Sequence, residues 1–138
     1  MAEEENCIFC AIANGRAPAS ILFRDESVVA FLDRYPRNPG HTLVIPAAHY
    51  VGLADLPEPT GARMFNLAQR VAGAIRRSGL PCEGISLRLA DGTAAGQEVW
   101  HCHLHVIPRV FGDARRPPQS PTRDELEAVR DRLRRAWQ

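Results

Sequence analysis

Three of the five histidines in this chain alternate along one short segment, at His101, His103 and His105. Alternate side chains of a β-strand project from the same face, so a strand here would align three imidazoles and send Cys102 and Leu104 to the opposite face. Three neutral imidazoles could hold one catalytic metal ion with an open coordination position. Alternatively, one imidazole could attack a phosphorus atom while its neighbours bind phosphate oxygens, because an imidazole with a pKa of about 6.5 is largely neutral at pH 7. The spacing does not choose between these two chemistries.

A second candidate group is the pair Cys7 and Cys10, which form a Cys-x-x-Cys motif. Such a pair is half of a tetrahedral zinc site, but the same spacing also occurs in redox pairs and in packed thiols. No thioredoxin-like βαβ pattern surrounds the motif, which disfavours the redox pair. Residues 1–6 are acidic, unlike a secretory signal, so we expect a cytoplasmic protein with reduced cysteines.

The composition excludes several classes of function. All 17 basic residues are arginine, which excludes a Schiff-base lysine, a catalytic lysine base and a Walker-type phosphate lysine. The net charge of +1 gives no global field for binding nucleic acid or a membrane surface, and we expect neither partner. With 138 residues, 45% of them hydrophobic, the chain has the size of one globular domain.

The candidate residues must be positioned by an α+β fold, because hydrophobic periodicity indicates short strands around one long helix. We predict strands at 21–23, 28–32, 41–45, 85–89 and 99–107. A long helix is predicted over 60–78, ending at Gly79, with its buried face formed by Met64, Leu67, Ala68, Val71, Ala74 and Ile75. A short N-terminal helix capped by Asn6 precedes the sheet.

The predicted domain comprises residues 1–113, followed by a Pro/Arg linker at 114–121 and a C-terminal helix at 122–138. A capping box from Thr122 to Glu125 opens this helix. We expect the helix to pack on the domain or extend it through Leu126, Val129, Leu133 and Trp137. Its arginines should form a solvated face with i,i+4 partners.

The segment from His101 to Ile107 is similar to the His-φ-His-φ-His-φ-φ signature of histidine triad (HIT) nucleotide hydrolases and transferases, where φ is apolar. The resemblance spans residues 7–113 and includes Ile8-Phe9, Phe31-Leu32-Asp33, Pro39 to Pro46, His49, Ala95-Gly96-Gln97 and Pro108-Arg109. It implies a HIT-like fold, with an antiparallel five-stranded sheet, one long middle helix, a short N-terminal helix and an appended C-terminal helix. It also implies a homodimer that joins the middle helices and the fourth strands of two copies.

The resemblance assigns catalytic roles to four residues. His103 corresponds to the nucleophile that attacks the α-phosphate of a purine nucleotide and forms a nucleotidyl-histidine, which water hydrolyses to a monophosphate. His105 corresponds to a phosphate-binding partner, and the main-chain carbonyl of His101 to the group that orients the nucleophilic ring. Gln97 corresponds to a contact to phosphate or to the bridging oxygen.

The resemblance also implies a nucleotide pocket and a zinc site. Asp33 corresponds to the carboxylate that accepts hydrogen bonds from both ribose hydroxyls. The apolar walls around the purine correspond to Ile8, Phe9 and Phe31, and Val99, His103, His105 and Gln97 complete the nucleotide contacts. Zinc-containing members carry a tetrahedral structural site, to which Cys7, Cys10, His49 and His101 correspond. His41, by contrast, is expected to be structural.

The sequence departs from the family pattern at two places. Many relatives have asparagine where this chain has Ala90-Asp91, so Asp91 is expected to point away from the substrate or to alter substrate choice. Arg34 replaces a commonly apolar residue beside the ribose carboxylate, which leaves the base preference open. Pro108-Arg109 resembles the branch that cleaves dinucleoside polyphosphates rather than the phosphoramidases.

Three classes of function therefore compete. The leading hypothesis is an enzyme that transfers a nucleotidyl group to His103 and then to water, or to phosphate in a phosphorylase. The second is a nucleotide sensor or scaffold with little turnover. The third is a three-histidine metallohydrolase, in which removal of one catalytic metal abolishes activity.

Overall fold

The computed structural model describes residues 4–138 and confirms the α+β architecture. The helices are α1 (Ile8–Ala13), α2 (Glu58–Arg77) and α3 (Arg123–Arg135), with short 3₁₀ turns at Leu53–Asp55, Thr93–Ala95 and Asp113–Arg115. The strands are β1 (Ile21–Arg24), β2 (Val28–Leu32), β3 (Thr42–Pro46), β4 (Gly84–Leu89) and β5 (Leu104–Arg109). All pairs are antiparallel, in the order β1-β2-β3-β5-β4.

The two central strands, β2 and β3, are buried along their whole length because helices cover both faces of the sheet. Side chains on one face, such as Val28 and Val44, pack in a cluster with α2. Side chains on the other face, such as Phe31 and Leu43, pack in a second cluster with α1. Because side chains alternate between the two faces of a strand, α1 packs on an apolar surface separate from that of α2, and the candidate site lies on the α1 side.

The long helix α2 matches its predicted pattern closely. All six residues of its predicted buried face are buried, and they pack against the sheet. Gly79 follows the helix with φ +80°, a left-handed conformation that favours glycine, so the predicted stop is confirmed. At α1 the predicted cap is wrong, because Cys7 rather than Asn6 is the N-cap and its Sγ accepts a hydrogen bond from the Cys10 N–H at 3.4 Å.

The predicted fifth strand over 99–107 is corrected to Leu104–Arg109. The segment before it leaves the sheet, because the Cys102 N–H donates to the Tyr50 carbonyl at 2.6 Å instead of to a strand. Pro108 lies within β5 without a lost hydrogen bond to β3, since that pairing ends at Val106.

Helix α3 joins the main core through its predicted apolar face. Leu126 and Leu133 are buried in the cluster around α2, with Val129 and Trp137 packed against it. The predicted capping box forms at Thr122 and Glu125. The arginine face is partly solvated, but Arg130 pairs with Glu127, three residues away rather than four.

None of the helices within residues 4–138 has the length and apolarity that crossing a membrane would require.

Candidate active site and metal centre

A cavity of about 760 Å³ opens on the α1 side of the sheet. Its walls come from α1, from β2 and the loop after it, and from the segment that leads into β5. They include seven of the eight residues predicted to bind nucleotide, namely Ile8, Phe9, Phe31, Asp33, Val99, His103 and His105. The apolar end is built by Phe9 and Phe31, whose rings meet edge to face with centroids 5.5 Å apart.

The ring of His103 is held in one tautomer by the main chain. Its Nδ1 lies 2.7 Å from the carbonyl oxygen of His101, and because a carbonyl can only accept, Nδ1 carries the proton. Burial lowers the pKa of His103 below its ordinary value, which keeps the ring neutral. The lone pair is then on Nε2, the nitrogen left for the cavity, so His103 can act as a nucleophile without losing a proton first.

His105 is held in a complementary state through His41. The Arg37 N–H donates to His41 Nδ1 at 2.9 Å, so the proton of a neutral His41 is on Nε2. This Nε2–H donates in turn to His105 Nδ1 at 2.9 Å, which places the proton of His105 on its own Nε2. Burial lowers the pKa of His41 to about 3 and that of His105 to about 4, so both rings are neutral. The cavity therefore meets an acceptor nitrogen on His103 and a donor nitrogen on His105.

The contact of His41 with the triad is not evident from the sequence, which predicts a structural role. Its backbone starts beside a Pro-Gly turn, and only the pairing of β3 with β5 shows that its ring reaches His105. Through this contact His41 can set the tautomer of His105 without reaching a ligand itself.

Asp33 lies at the end of β2, next to the rings of His41 and His105. One carboxylate oxygen accepts from the Tyr35 N–H at 2.8 Å, and the other lies 3.4 Å from His41 Nε2. Since His41 is neutral and its one Nε2–H donates to His105 Nδ1, this second contact is a close approach of two polar atoms rather than an ion pair or a hydrogen bond. Burial raises the pKa of Asp33 above its ordinary value. The carboxylate is exposed enough to line the cavity, where it can accept from a ligand.

Arg88 is a further cavity residue, which no motif in the sequence identifies. It lies on β4 directly opposite His105 in the β4–β5 register, and it lines the cavity. Its positive charge contributes to the lowered pKa of His103 and of His105, after burial. The alternation of β4 indicates which face Arg88 occupies, but the pairing that brings it to the triad cannot be read from one sequence.

Gln97 lies at the edge of the site and is engaged with its own loop. Its Oε1 accepts from the Gly92 N–H at 2.8 Å, and its Nε2 donates to the carbonyls of Val51 at 2.8 Å and Val99 at 3.1 Å. A phosphate contact by Gln97 therefore stays a prediction. Asp91 points away from the cavity, since its carboxylate accepts from the Leu53 N–H at 3.0 Å.

Cys7, Cys10, His49 and His101 come together as a compact cluster beside α1. Their sulfur and nitrogen ligand atoms all lie within 4.8 Å of one another. The Cys7 Sγ–His101 Nδ1 distance is 3.4 Å and the Cys10 Sγ–His49 Nδ1 distance is 3.3 Å. Tetrahedral zinc with bonds of about 2.3 Å to sulfur and about 2.0 Å to nitrogen separates such ligands by roughly 3.5 Å, so the donor set fits the ion.

The tautomer of His101 also fits a metal ligand. Its Nε2 lies 2.8 Å from the Pro46 carbonyl and must donate to it, which leaves the Nδ1 lone pair directed at the two sulfurs. Burial lowers the pKa of His101 to about 4, so the ring is neutral as a ligand must be.

The three triad histidines do not converge on a single point. Among the described residues, His101 belongs to the cysteine cluster, while His105 groups with His41 and Asp33. His103 belongs to neither group, although its ring centroid is 5.1 Å from that of His105. This arrangement does not favour the three-histidine metallohydrolase.

Residues 14–112 match the family model of the HIT domain, which covers more than half of the chain. The chain belongs to the HIT family. An uncharacterized HIT-like protein of Methanocaldococcus jannaschii is 41% identical to this HIT chain over 107 residues, 78% of this chain and 81% of that protein. Adenylylsulfatase HINT3 of Arabidopsis thaliana is 32% identical over 124 residues, 90% of this chain and 62% of that protein.

A crystal structure of a Zn-bound histidine triad family protein from Mycobacterium smegmatis superposes on this HIT chain with a TM-score of 0.85 and 45% sequence identity. The match covers 95% of this chain and 92% of that chain. It confirms the predicted HIT-like fold.

Proposed function

We propose that this HIT protein is a nucleotide hydrolase or nucleotidyl transferase that acts at the α-phosphate of purine nucleotides. The observation that carries the proposal is the main-chain hydrogen bond from His103 Nδ1–H to the His101 carbonyl, which leaves a neutral Nε2 lone pair at the cavity. A relative named as an adenylylsulfatase supports an enzyme of nucleotide chemistry.

In the first step, His103 Nε2 attacks the α-phosphorus and forms a P–N bond. The bond from phosphorus to the leaving group breaks, and the leaving group takes that electron pair. The phosphorylated ring becomes cationic while its Nδ1–H continues to donate to the His101 carbonyl, which stabilises the charge. The Nε2–H of His105 and the guanidinium of Arg88 are placed to bind phosphate oxygens.

In the second step, water attacks the phosphorus and the P–N bond breaks, which restores neutral His103. The proton of water passes to the nucleoside monophosphate or to solvent. If phosphate took the place of water, the same site would act as a phosphorylase. Asp33 would hold the ribose hydroxyls, and the rings of Phe9 and Phe31 would enclose the purine.

Product chromatography on the wild type and on His103→Gly tests this reaction. Each protein is incubated with adenosine phosphoramidate and with diadenosine tri- and tetraphosphate, and the wild type is also quenched in alkaline denaturant, in which a histidyl P–N bond persists, for mass spectrometry of the adduct. Monophosphate release by the wild type alone, with an adduct on His103, is the expected result. Full activity of His103→Gly would contradict the nucleophile assignment, and nucleotide binding without any turnover would favour the sensor.

We infer that Cys7, Cys10, His49 and His101 hold structural Zn²⁺. The complete set of four protein ligands leaves no open position for substrate, which is typical of a structural site. Zinc would tie α1, which carries the cavity residues Ile8 and Phe9, to the segment before β5.

We further propose a cytoplasmic homodimer. Strand β4 is an edge of the sheet, and its Leu87 is 45% exposed. Phe65 of α2 is also exposed, at 51%. An exposed apolar strand edge invites pairing with a second copy. Light scattering coupled to size-exclusion chromatography should give twice the chain mass for the wild type and the single chain mass for Leu87→Arg.

A further inference from the structure

One wall of the cavity comes from residues beyond the C-terminal end of the matched HIT domain. The family match ends at residue 112, yet Pro118 from the linker and Arg123 from the first turn of α3 both line the cavity. The linker is fixed by the Gln119 N–H, which donates to the Pro36 carbonyl at 2.9 Å. Helix α3 is fixed by its buried core residues, so the wall is part of the folded domain.

Arg123 is held at the apolar end of the cavity, and several N–H groups of its guanidinium stay available to a ligand. Its Nη1 donates to Oγ of the fully buried Ser20 at 3.0 Å, and the Ser20 carbonyl accepts from the Leu32 N–H beside Phe31. Across the described residues 4–138, no carboxylate forms an ion pair with this guanidinium. Because arginine has five N–H donors, one bond to Ser20 leaves others for a ligand.

The other side chains around that end are apolar, including Phe9, Ile12, Pro18 and Ala19. Arg123 therefore supplies hydrogen-bond donors at the base end, and the carboxylates that line the cavity are those of Asp33 and Glu98. Guanine presents two adjacent acceptors, O6 and N7, which match a guanidinium in a bidentate contact. Adenine presents N7 beside the N6 amino group, and that amino group would face the guanidinium donor to donor.

We propose that Arg123 selects nucleotides of 6-oxopurines, guanine or hypoxanthine, over adenine nucleotides. The inference rests on the proposed function, because it takes the purine to lie at the Phe9–Phe31 end of the cavity. A bidentate contact between arginine and O6/N7 gives a preference of about tenfold or more in Kd.

Isothermal titration calorimetry of the full chain with GMP, IMP and AMP tests the proposal. The wild type should bind GMP and IMP about equally, and each about tenfold more tightly than AMP. Arg123→Ala should abolish this preference, and Arg123→Gln should move it towards AMP, because an amide can both donate to N7 and accept from N6. Arg130→Ala is the matched control, since it lies on the same helix, pairs with Glu127 and should keep the wild-type ranking.

The wild-type ranking tests the proposal even where a variant fails to fold. Equal binding of all three nucleotides would overturn the selectivity and leave the proposed function standing. A GMP preference with IMP resembling AMP would assign selection to the exocyclic amino group of guanine, and a preference kept in both Arg123 variants would assign it to another residue. Either result overturns the proposal, and no binding of any nucleotide would overturn the proposed function as well.

Discussion

Replacement of Leu133 by alanine tests whether α3 belongs to the main core or is a detachable appendage. The Leu133 side chain is 0% exposed and packs in the cluster formed with α2. Removing three buried carbon groups costs about 2.4 kcal/mol at about 0.8 kcal/mol each. The cavity left behind adds to this, so we expect a loss of about 3 kcal/mol in the free energy of unfolding.

Thermal and urea unfolding measure this loss directly. An unfolding entropy of about 2.1 cal/mol/K per residue gives roughly 0.3 kcal/mol/K for this chain, so about 3 kcal/mol lowers the Tm by about 10 °C. The transition should stay single, and the urea m-value should not change, because one core unfolds as a unit. Arg134→Ala is the control, since Arg134 is exposed on the same helix and its loss should shift the Tm by about 2 °C at most.

Two results would refute this reasoning. One is a loss of less than about 1 kcal/mol in Leu133→Ala, which lies well below the range for a buried leucine. The other is a separate early transition seen in the fluorescence of Trp137, which stacks on Phe23 of β1. Either would show that α3 unfolds independently of the sheet.

Three further predictions concern the metal centre, the triad and an ion pair. Cys10→Ser should reduce the zinc content, measured by mass spectrometry, from about one ion per chain to a small fraction, and it should lower the Tm. Cys82→Ser is the control and should change neither quantity. Equal zinc content in both variants would contradict the assigned ligands. His41→Phe should lower kcat for the preferred nucleotide about 100-fold with little change in KM, because His105 loses the hydrogen bond that fixes its tautomer. An unchanged kcat would exclude this positioning role. The Arg109 guanidinium holds the pKa of Asp113 well below its usual range, so this stabilisation is present above about pH 4 and declines as the pH falls below it. Asp113→Asn should therefore lower the Tm at pH 7 and leave a smaller difference from the wild type at pH 3, and a difference that grows on acidification would reverse the sign of the argument.

Local patterns predicted most of the fold. The apolar spacing along α2, Gly79 at its end and the capping box at Thr122 are encoded within a few residues of one another, and all three are confirmed. The errors occur where tertiary contacts decide. Cys102 bonds to Tyr50 rather than to a strand, which moves the start of β5, and Cys7 caps α1 with a sulfur that sequence rules do not favour as a cap.

The same distinction between local patterns and tertiary contacts explains which residues of the candidate site could be predicted. The alternating histidines and the Cys-x-x-Cys motif identify a site because each is contiguous in sequence. His41 and Arg88 could not be assigned in the same way, since each reaches His105 only through strand pairing. Arg123 is even harder to assign from the sequence, because it lies far along the chain from the triad and lines the cavity only when α3 packs on the domain.

The two contributions of position 101 have different evolutionary constraints. The side chain of His101 points into the cysteine cluster, and only histidine offers that ring with that reach. Its carbonyl orients His103, and any amino acid has a carbonyl. A descendant that lost Cys7 and Cys10 would release the identity of residue 101 while His103 kept its hydrogen-bond partner. The proposed zinc binding and the proposed catalysis can therefore diverge separately, although a single residue would link them in this chain.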